Sequence, residues 1–310
     1  MDHSKKMLGQ EQIDFYREQG YLIADVLSPD EIKNAREKID SLISLSYKAD
    51  KNGRDFPKKT SSSFQHFGDS LDEYGREARH YYFHIMTATG TQALHTLLLH
   101  QKIQGLVEEL LGPDLILNNF SLLAAEPGIK YKLGWHRDII QIPEQEIDER
   151  IFSPAWFHNN LQFNLALNDD DCLWAVPGSH IRPNTPDENA AFNGSRHYAP
   201  MDAEMPGGIP IPLRPGQAAF YNNNLIHRGY APKLTTLRRT IHMGFHSGVR
   251  PPTWHFYLLD EKRLTPGYLD TLAPDIRRMM IRYLELKKKY PRMEDTWPKA
   301  DRPLSEVLSR

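Results

Sequence analysis

The chain has 310 residues, 40% of them apolar and 25% charged, so it can bury a sizeable core and is not globally disordered. A net charge of −2 gives no electrostatic reason to expect nucleic acid or an anionic membrane as partner, and no apolar run reaches the ~18 residues of a membrane span. The polar start Met1-Asp2-His3-Ser4-Lys5-Lys6 lacks the apolar centre of a signal peptide and Cys172 is the single cysteine, which together point to a reducing, cytoplasmic location.

Glu11 to Gln19 reads as a short amphipathic helix closed by Gly20, followed by a strand from Tyr21 to Val26. Ser28-Pro29-Asp30-Glu31 is a helix start, with Ser28 as N-cap, Pro29 at the first helical position and Glu31 closing a capping box. Ile32, Ala35, Ile39, Leu42 and Ile43 then recur at three- and four-residue spacing on one face. Asp50 to Glu77 is polar and broken by glycine and proline, and is expected to be a loop or lid. Arg79 to Met86 alternates as a strand, and Thr91 to Leu111 carries a helical apolar stripe ended by Gly112-Pro113.

From Asp114 to about His246 the texture changes. Leu115–Ala125, Leu133–Ile142, Gln162–Asn168, Leu173–Val176, Ile209–Leu213, Gln217–Tyr221 and Arg238–Phe245 read as strands, separated by turns such as Asn168-Asp169-Asp170-Asp171 and Pro215-Gly216. Pro183 to Gly208 is a polar insertion, and Pro274 to Tyr290 returns to helix. The expected fold is α+β with a mainly β core, a double-stranded β-helix or jelly roll flanked by helices at both termini. It is expected as a single domain over 1–310, with N-terminal helices at about 8–112, the jelly-roll core at about 113–248 and a C-terminal helical extension at about 249–310.

The chemistry starts at Trp135-His136-Arg137-Asp138. In a strand, side chains at i and i+2 share a face, so His136 and Asp138 aim into one space. An imidazole and a carboxylate on neighbouring positions form two-thirds of a facial 2-His-1-carboxylate site, which holds ferrous iron with positions left open. The missing histidine must come from another strand. His227 lies 91 residues later, and His158, His180, His197, His242 and His246 compete with it. A basic residue separates them. A co-substrate with two carboxylates needs a fixed cation at its far end, and Arg238 follows His227 by 11 residues at the start of a strand. Alternation puts Arg238, Thr240 and His242 on one face, taken as inward; a one-residue bulge would give the role to Arg239.

With these pieces in place, the chain resembles the phytanoyl-CoA dioxygenase family of iron(II)- and 2-oxoglutarate-dependent oxygenases. The resemblance rests on the N-terminal segment through Glu31, His136-x-Asp138, Val176-Pro177-Gly178-Ser179-His180, the strand ending at His227, and Arg238. It implies iron on His136, Asp138 and His227, 2-oxoglutarate on Arg238, and dioxygen as the oxidant. His180 is then structural. Many members carry Gln three residues before the first metal histidine, where this chain has Leu133; Gln162 or Asn164 could take that role. The family's chemistry implies hydroxylation or a related oxidation of an unactivated C–H bond in a small organic substrate, with release of succinate and carbon dioxide. Retention of Asp138 argues against halogenation. Trp135, Trp156, Trp174, Tyr81 and Tyr82 are candidate pocket walls or core aromatics, and Lys58, Lys59, Arg76 and Arg79 a candidate anion contact or ordinary surface charge. Two rivals remain: a cupin-type metalloenzyme that does not use 2-oxoglutarate, and a non-catalytic jelly-roll binding module.

Overall fold

A computed structural model describes residues 6–51, 64–71, 77–84, 86, 92–138, 160–195, 198–249, 252, 254–259 and 261–292. The local signals at the N-terminus act as expected. Helix α1 (Gln10–Gln19) ends at Gly20, whose left-handed φ of +82° lets its N–H reach the Tyr16 carbonyl at 2.8 Å. Strand β1 (Tyr21–Asp25) follows, then helix α2 (Pro29–Lys51). The Ser28 N–H donates to the Glu31 carboxylate at 2.8 Å, and the Glu31 N–H donates back to Ser28 Oγ at 3.4 Å.

Two N-terminal expectations need correction. The stretch 64–71, expected within a lid, is strand β2 (Phe64–Leu71), paired antiparallel with β3 (Glu77–His84). β3 in turn pairs with β4 (Leu115–Ala125), so a long-range partner recruits this polar hairpin into a sheet edge. The lid residues 52–63 and 72–76 lie outside the described residues. Thr91–Leu111 is not one helix. A 3₁₀ helix (Gln92–Leu99) and α3 (Gln101–Leu111) meet at His100, whose ψ of 120° is extended. Both halves bury their leucines, so the apolar stripe could not reveal the break; His100 spends its ring on Glu31 at 3.1 Å.

The β region forms two antiparallel sheets. Beyond β4 the strands are β5 (Tyr131–His136), β6 (Asn160–Ala166), β7 (Leu173–Ala175), β8 (Ile209–Pro210), β9 (Gln217–Tyr221), β10 (His227–Ala231) and β11 (Arg238–Ser247). The large sheet runs β1-β9-β6-β11-β4-β3-β2 and the small one β5-β10-β7-β8. Alternation assigns their faces. Leu161, Phe163 and Leu165 of β6 and Ile241, Met243 and Phe245 of β11 join the helices in the main core. Their neighbours Gln162, Asn164, Arg238, Thr240 and His242 are buried polar groups on the opposite face, toward the small sheet. The insertion covers the small sheet's outer face, where Phe192 of helix α4 (Pro186–Phe192), Ala199 and Met205 pack with Trp135 and Ile226. Helix α5 (Pro274–Lys289) lies against β4 and buries Tyr283 against Phe256, ring centroids 4.6 Å apart.

Candidate metal centre and co-substrate pocket

The structure places the candidate ligands where two strands begin and end. His136 is the last residue of β5 and His227 the first of β10, and the antiparallel register sets them directly opposite. That pairing joins positions 91 residues apart and brings their rings to 4.3 Å between centroids. It also corrects one expectation: His227 opens a strand rather than ending one. The strand expected to run from Leu133 to Ile142 likewise stops at His136, and Asp138 sits in the turn beyond; residues 139–142 lie outside the described residues.

Arg137 makes that turn. Its buried guanidinium donates to the carbonyls of Ser179 at 2.6 Å and Asn224 at 2.5 Å and to the Asn184 side chain at 2.8 Å. Burial pulls its pKa down to about 9, still charged at neutral pH. The Asp138 N–H donates to the Asn223 carbonyl at 3.0 Å. His180 contributes differently: its Nε2 meets the Arg17 carbonyl at 3.0 Å, and its ring lies where a side chain on Gly20 would be, 2.5 Å from the Cβ position. It ties helix α1 to the turn that holds Arg137 and binds nothing in the cavity.

Ligand atoms of His136, Asp138 and His227 all lie within 4.8 Å of one another. His136 Nε2 is 3.4 Å from Asp138 Oδ1, and His227 Nε2 is 3.3 Å from Asp138 Oδ2. The tautomers follow from what holds the other ring nitrogen. His136 Nδ1 meets the Gly134 carbonyl at 2.8 Å and His227 Nδ1 the Leu225 carbonyl at 2.9 Å. Carbonyls only accept, so both Nδ1 atoms carry hydrogen and both Nε2 atoms present lone pairs. Burial lowers the His227 pKa to about 4, so its imidazole is neutral at neutral pH. Two lone pairs and a carboxylate thus face one space, which suits a cation. Ligands about 2.1 Å from an ion and at right angles stand about 3 Å apart, and each histidine nitrogen stands close to that distance from one oxygen of Asp138. Burial raises the Asp138 carboxyl, but its histidine neighbours, His255 and His227 foremost, outweigh it and hold the group well below the usual carboxylate range.

A cavity of about 180 Å³ extends from these ligands between the two sheets and reaches Arg238, Tyr131 and Leu133. Arg238 is 2% exposed. Its Nε donates to Asp170 Oδ2 at 3.0 Å, its guanidinium carbon lies 4.4 Å from the centre of the Tyr131 ring, and its Nη1 has no partner. Asp170 also accepts from the Cys172 N–H at 2.9 Å and from the Thr240 hydroxyl. Burial opposes charge on both Asp170 and Arg238, yet their attraction prevails, lowering the pKa of Asp170 and raising that of Arg238. A buried donor without a partner, aimed into a cavity that also holds three ligand atoms, fits the far carboxylate of a dicarboxylic acid.

The two remaining candidates part ways. Asn164 lines the cavity and accepts from His242 Nδ1 at 2.8 Å. The Gln162 amide instead donates to Asp138 Oδ2. Trp135 and Trp174 are not cavity walls: they lie on the small sheet's outer face with Arg228 stacked between them, 4.5 and 4.9 Å from their ring centres. Trp156, His158, His197, Lys58, Lys59 and Arg76 lie outside the described residues, as does the side chain of Arg79.

Three residues of the site were not singled out from sequence. Asp170 stood in view as the middle of an Asp run in a turn, but nothing local marks it as the arginine's partner. Tyr198, from the insertion, sets its ring 4.7 Å from the His136 ring and is 44% exposed, so it reaches both cavity and solvent. His255, in a 3₁₀ helix (Trp254–Leu258), approaches Asp138 from the far side. Neither carries a sequence signal.

The family model for phytanoyl-CoA dioxygenase matches residues 16–240 of the chain. Among solved structures, AviO1 from Streptomyces viridochromogenes Tue57 superposes with a TM-score of 0.56 at 20% identity, covering 81% of this chain and 100% of that one. The epimerase SnoN in complex with Fe3+, alpha ketoglutarate and nogalamycin RO gives 0.54 at 19% identity over 83% and 90% of the two chains. HygX from Streptomyces hygroscopicus, with nickel and 2-oxoglutarate bound, gives 0.53 at 17% identity over 77% and 87%. At these identities the likeness is one of fold. No curated protein matches the sequence. The family match covers most of the chain and contains all three candidate ligands and Arg238, so the chain belongs to the phytanoyl-CoA dioxygenase family and is an iron- and 2-oxoglutarate-dependent oxygenase.

Proposed function

We propose that His136, Asp138 and His227 hold iron(II), that Arg238 binds the far carboxylate of 2-oxoglutarate, and that the enzyme hydroxylates an unactivated C–H bond of a small organic substrate. The observation that carries this reading is a cavity that joins the three candidate ligand atoms to the buried Nη1 of Arg238, which has no partner among the described residues. Iron with 2-oxoglutarate and dioxygen supplies an oxidant able to take hydrogen from carbon, with succinate and carbon dioxide as co-products.

The protein's own part is placement. The carbonyls of Gly134 and Leu225 fix the tautomers that present Nε2 to the metal. Asp170 takes the Nε edge of Arg238 and leaves Nη1 for the co-substrate. Gln162 serves Asp138, so it is a holder of the carboxylate rather than a stand-in for the glutamine absent at Leu133. Asn164 and the His242 it fixes face the cavity beside the co-substrate. Tyr198 stands at the solvent side, and the substrate reaches the metal past it.

Anaerobic addition of Fe(II) and then 2-oxoglutarate should produce a weak visible charge-transfer band. Its absence from the wild type would favour a binding module. Arg238→Ala should keep iron binding and lose 2-oxoglutarate turnover; turnover that survives would favour a cupin-type enzyme without this co-substrate. A metabolite screen for substrate-stimulated succinate release would identify the substrate class.

A further inference from the structure

Among the described residues three imidazoles surround Asp138, and their Nδ1 partners sort them. His136 and His227 give their Nδ1 hydrogens to carbonyls, which frees Nε2 to bind a cation. His255 is the opposite case. Its Nδ1 lies 2.9 Å from the Asn223 amide nitrogen, a donor, so Nδ1 accepts and Nε2 carries the hydrogen. That Nε2 is 3.5 Å from Asp138 Oδ1. The opposite amide orientation would move the proton to Nδ1 and set a lone pair against the carboxylate, so both neighbours favour the Nε2–H form.

We infer that His255 is a positioning residue for the metal carboxylate, an inference that rests on the metal reading above. Among the described residues the geometry around Asp138 divides evenly. Oδ1 faces one ligand histidine, His136, and one donor, His255; Oδ2 faces His227 and the donor Gln162. When one oxygen binds the ion, a donor remains to hold the other and fix the carboxylate plane.

The donor is delivered from outside the family match, 15 residues beyond its end at 240. Next to it, Phe256 is fully buried, and the Tyr283 hydroxyl of α5 donates to its carbonyl at 3.0 Å. The C-terminal helix therefore buttresses the segment that carries His255, and this gives the extension a place in the site.

The test is Co(II) affinity by calorimetry on wild type, His255→Phe and His255→Gln. Phe fills the space without a donor; Gln sets an N–H near the imidazole Nε2. His255→Phe should bind Co(II) about 10- to 100-fold more weakly, and His255→Gln should return to within about threefold of wild type. Equal affinity in wild type and His255→Phe overturns this inference alone; a wild type that binds no Co(II) overturns the metal reading and this inference with it. Nitrogen NMR of the wild-type imidazole decides the point even if the Phe variant does not fold. At neutral pH, hydrogen on Nε2 supports the inference and hydrogen on Nδ1 overturns it.

Discussion

The small sheet supplies both proposed histidine ligands from the ends of short strands, six residues for β5 and five for β10. The large sheet supplies Gln162, Asn164, Arg238 and His242 from strands of seven and ten residues. The difference is one of backing. Helices lie on the outer face of the large sheet, so its inward polar groups stand on a packed core. The small sheet is backed by the insertion, and its ligands sit where the chain turns. The comparison teaches that the proposed ligands need access to the cavity, whereas the groups that face the co-substrate need a fixed base.

That division can be broken in four places. The largest effect is expected on the small sheet. His227→Ala should abolish measurable Co(II) binding and reduce succinate formation to background; tight metal binding by this variant would remove the small sheet from the site. The second tests the large sheet. Asp170→Ala leaves Arg238 buried without its ion-pair partner and should cost about 3–5 kcal/mol in urea unfolding. It should also weaken 2-oxoglutarate binding, because Nε is freed and the guanidinium can turn. A stability loss with unchanged 2-oxoglutarate affinity would show that Asp170 supports the sheet and not the co-substrate.

The third sharpens the account of burial in the large sheet. His246 is fully buried on β11, and burial lowers its pKa from 6.5 to about 4. The unfolded chain therefore binds more protons between those values. Stability is present above about pH 6.5 and falls as the pH drops toward about 4, by on the order of 3 kcal/mol for this group. Urea unfolding of the metal-free protein at pH 7 and pH 4.5 measures the loss, and His246→Phe should reduce it; an unchanged pH dependence would assign the effect to other groups. The smallest effect belongs to the small sheet's cover. The Ala199 N–H donates to the Trp135 carbonyl at 2.9 Å, and a Cβ on Gly134 would stand 2.4 Å from the Ala199 carbonyl oxygen. Gly134→Ala should push the insertion away, cost about 1–3 kcal/mol and disturb Tyr198. A variant with wild-type stability and KM would show that the insertion can shift without consequence.

The parts of the fold legible in sequence are those set by local physics. Capping at Ser28 and Glu31, the glycine stop at Gly20 and the two-residue alternation of β6 and β11 each depend on a few adjacent residues. Alternation turns Arg238 and His242 inward as expected, whereas residue type alone leaves six histidines competing for the third position, and the register of β5 with β10 is what sets His227 opposite His136. Where distant partners decide, the reading failed. Phe64–Leu71 is a strand because β3 is held by β4, and β5 stops at His136 because Arg137 is caught by carbonyls from two other turns.

The sequence by itself determined which residue types are candidates to hold a metal ion and a dicarboxylate, because ligand chemistry belongs to the residue type. Tertiary structure decided which nitrogen each histidine presents, which carboxylate orients Arg238, and that a histidine beyond the family's segment stands over Asp138. Those outcomes depend on a partner more than thirty residues away in each case except the two ligand carbonyls, and spacing along a chain carries no information about who those partners are.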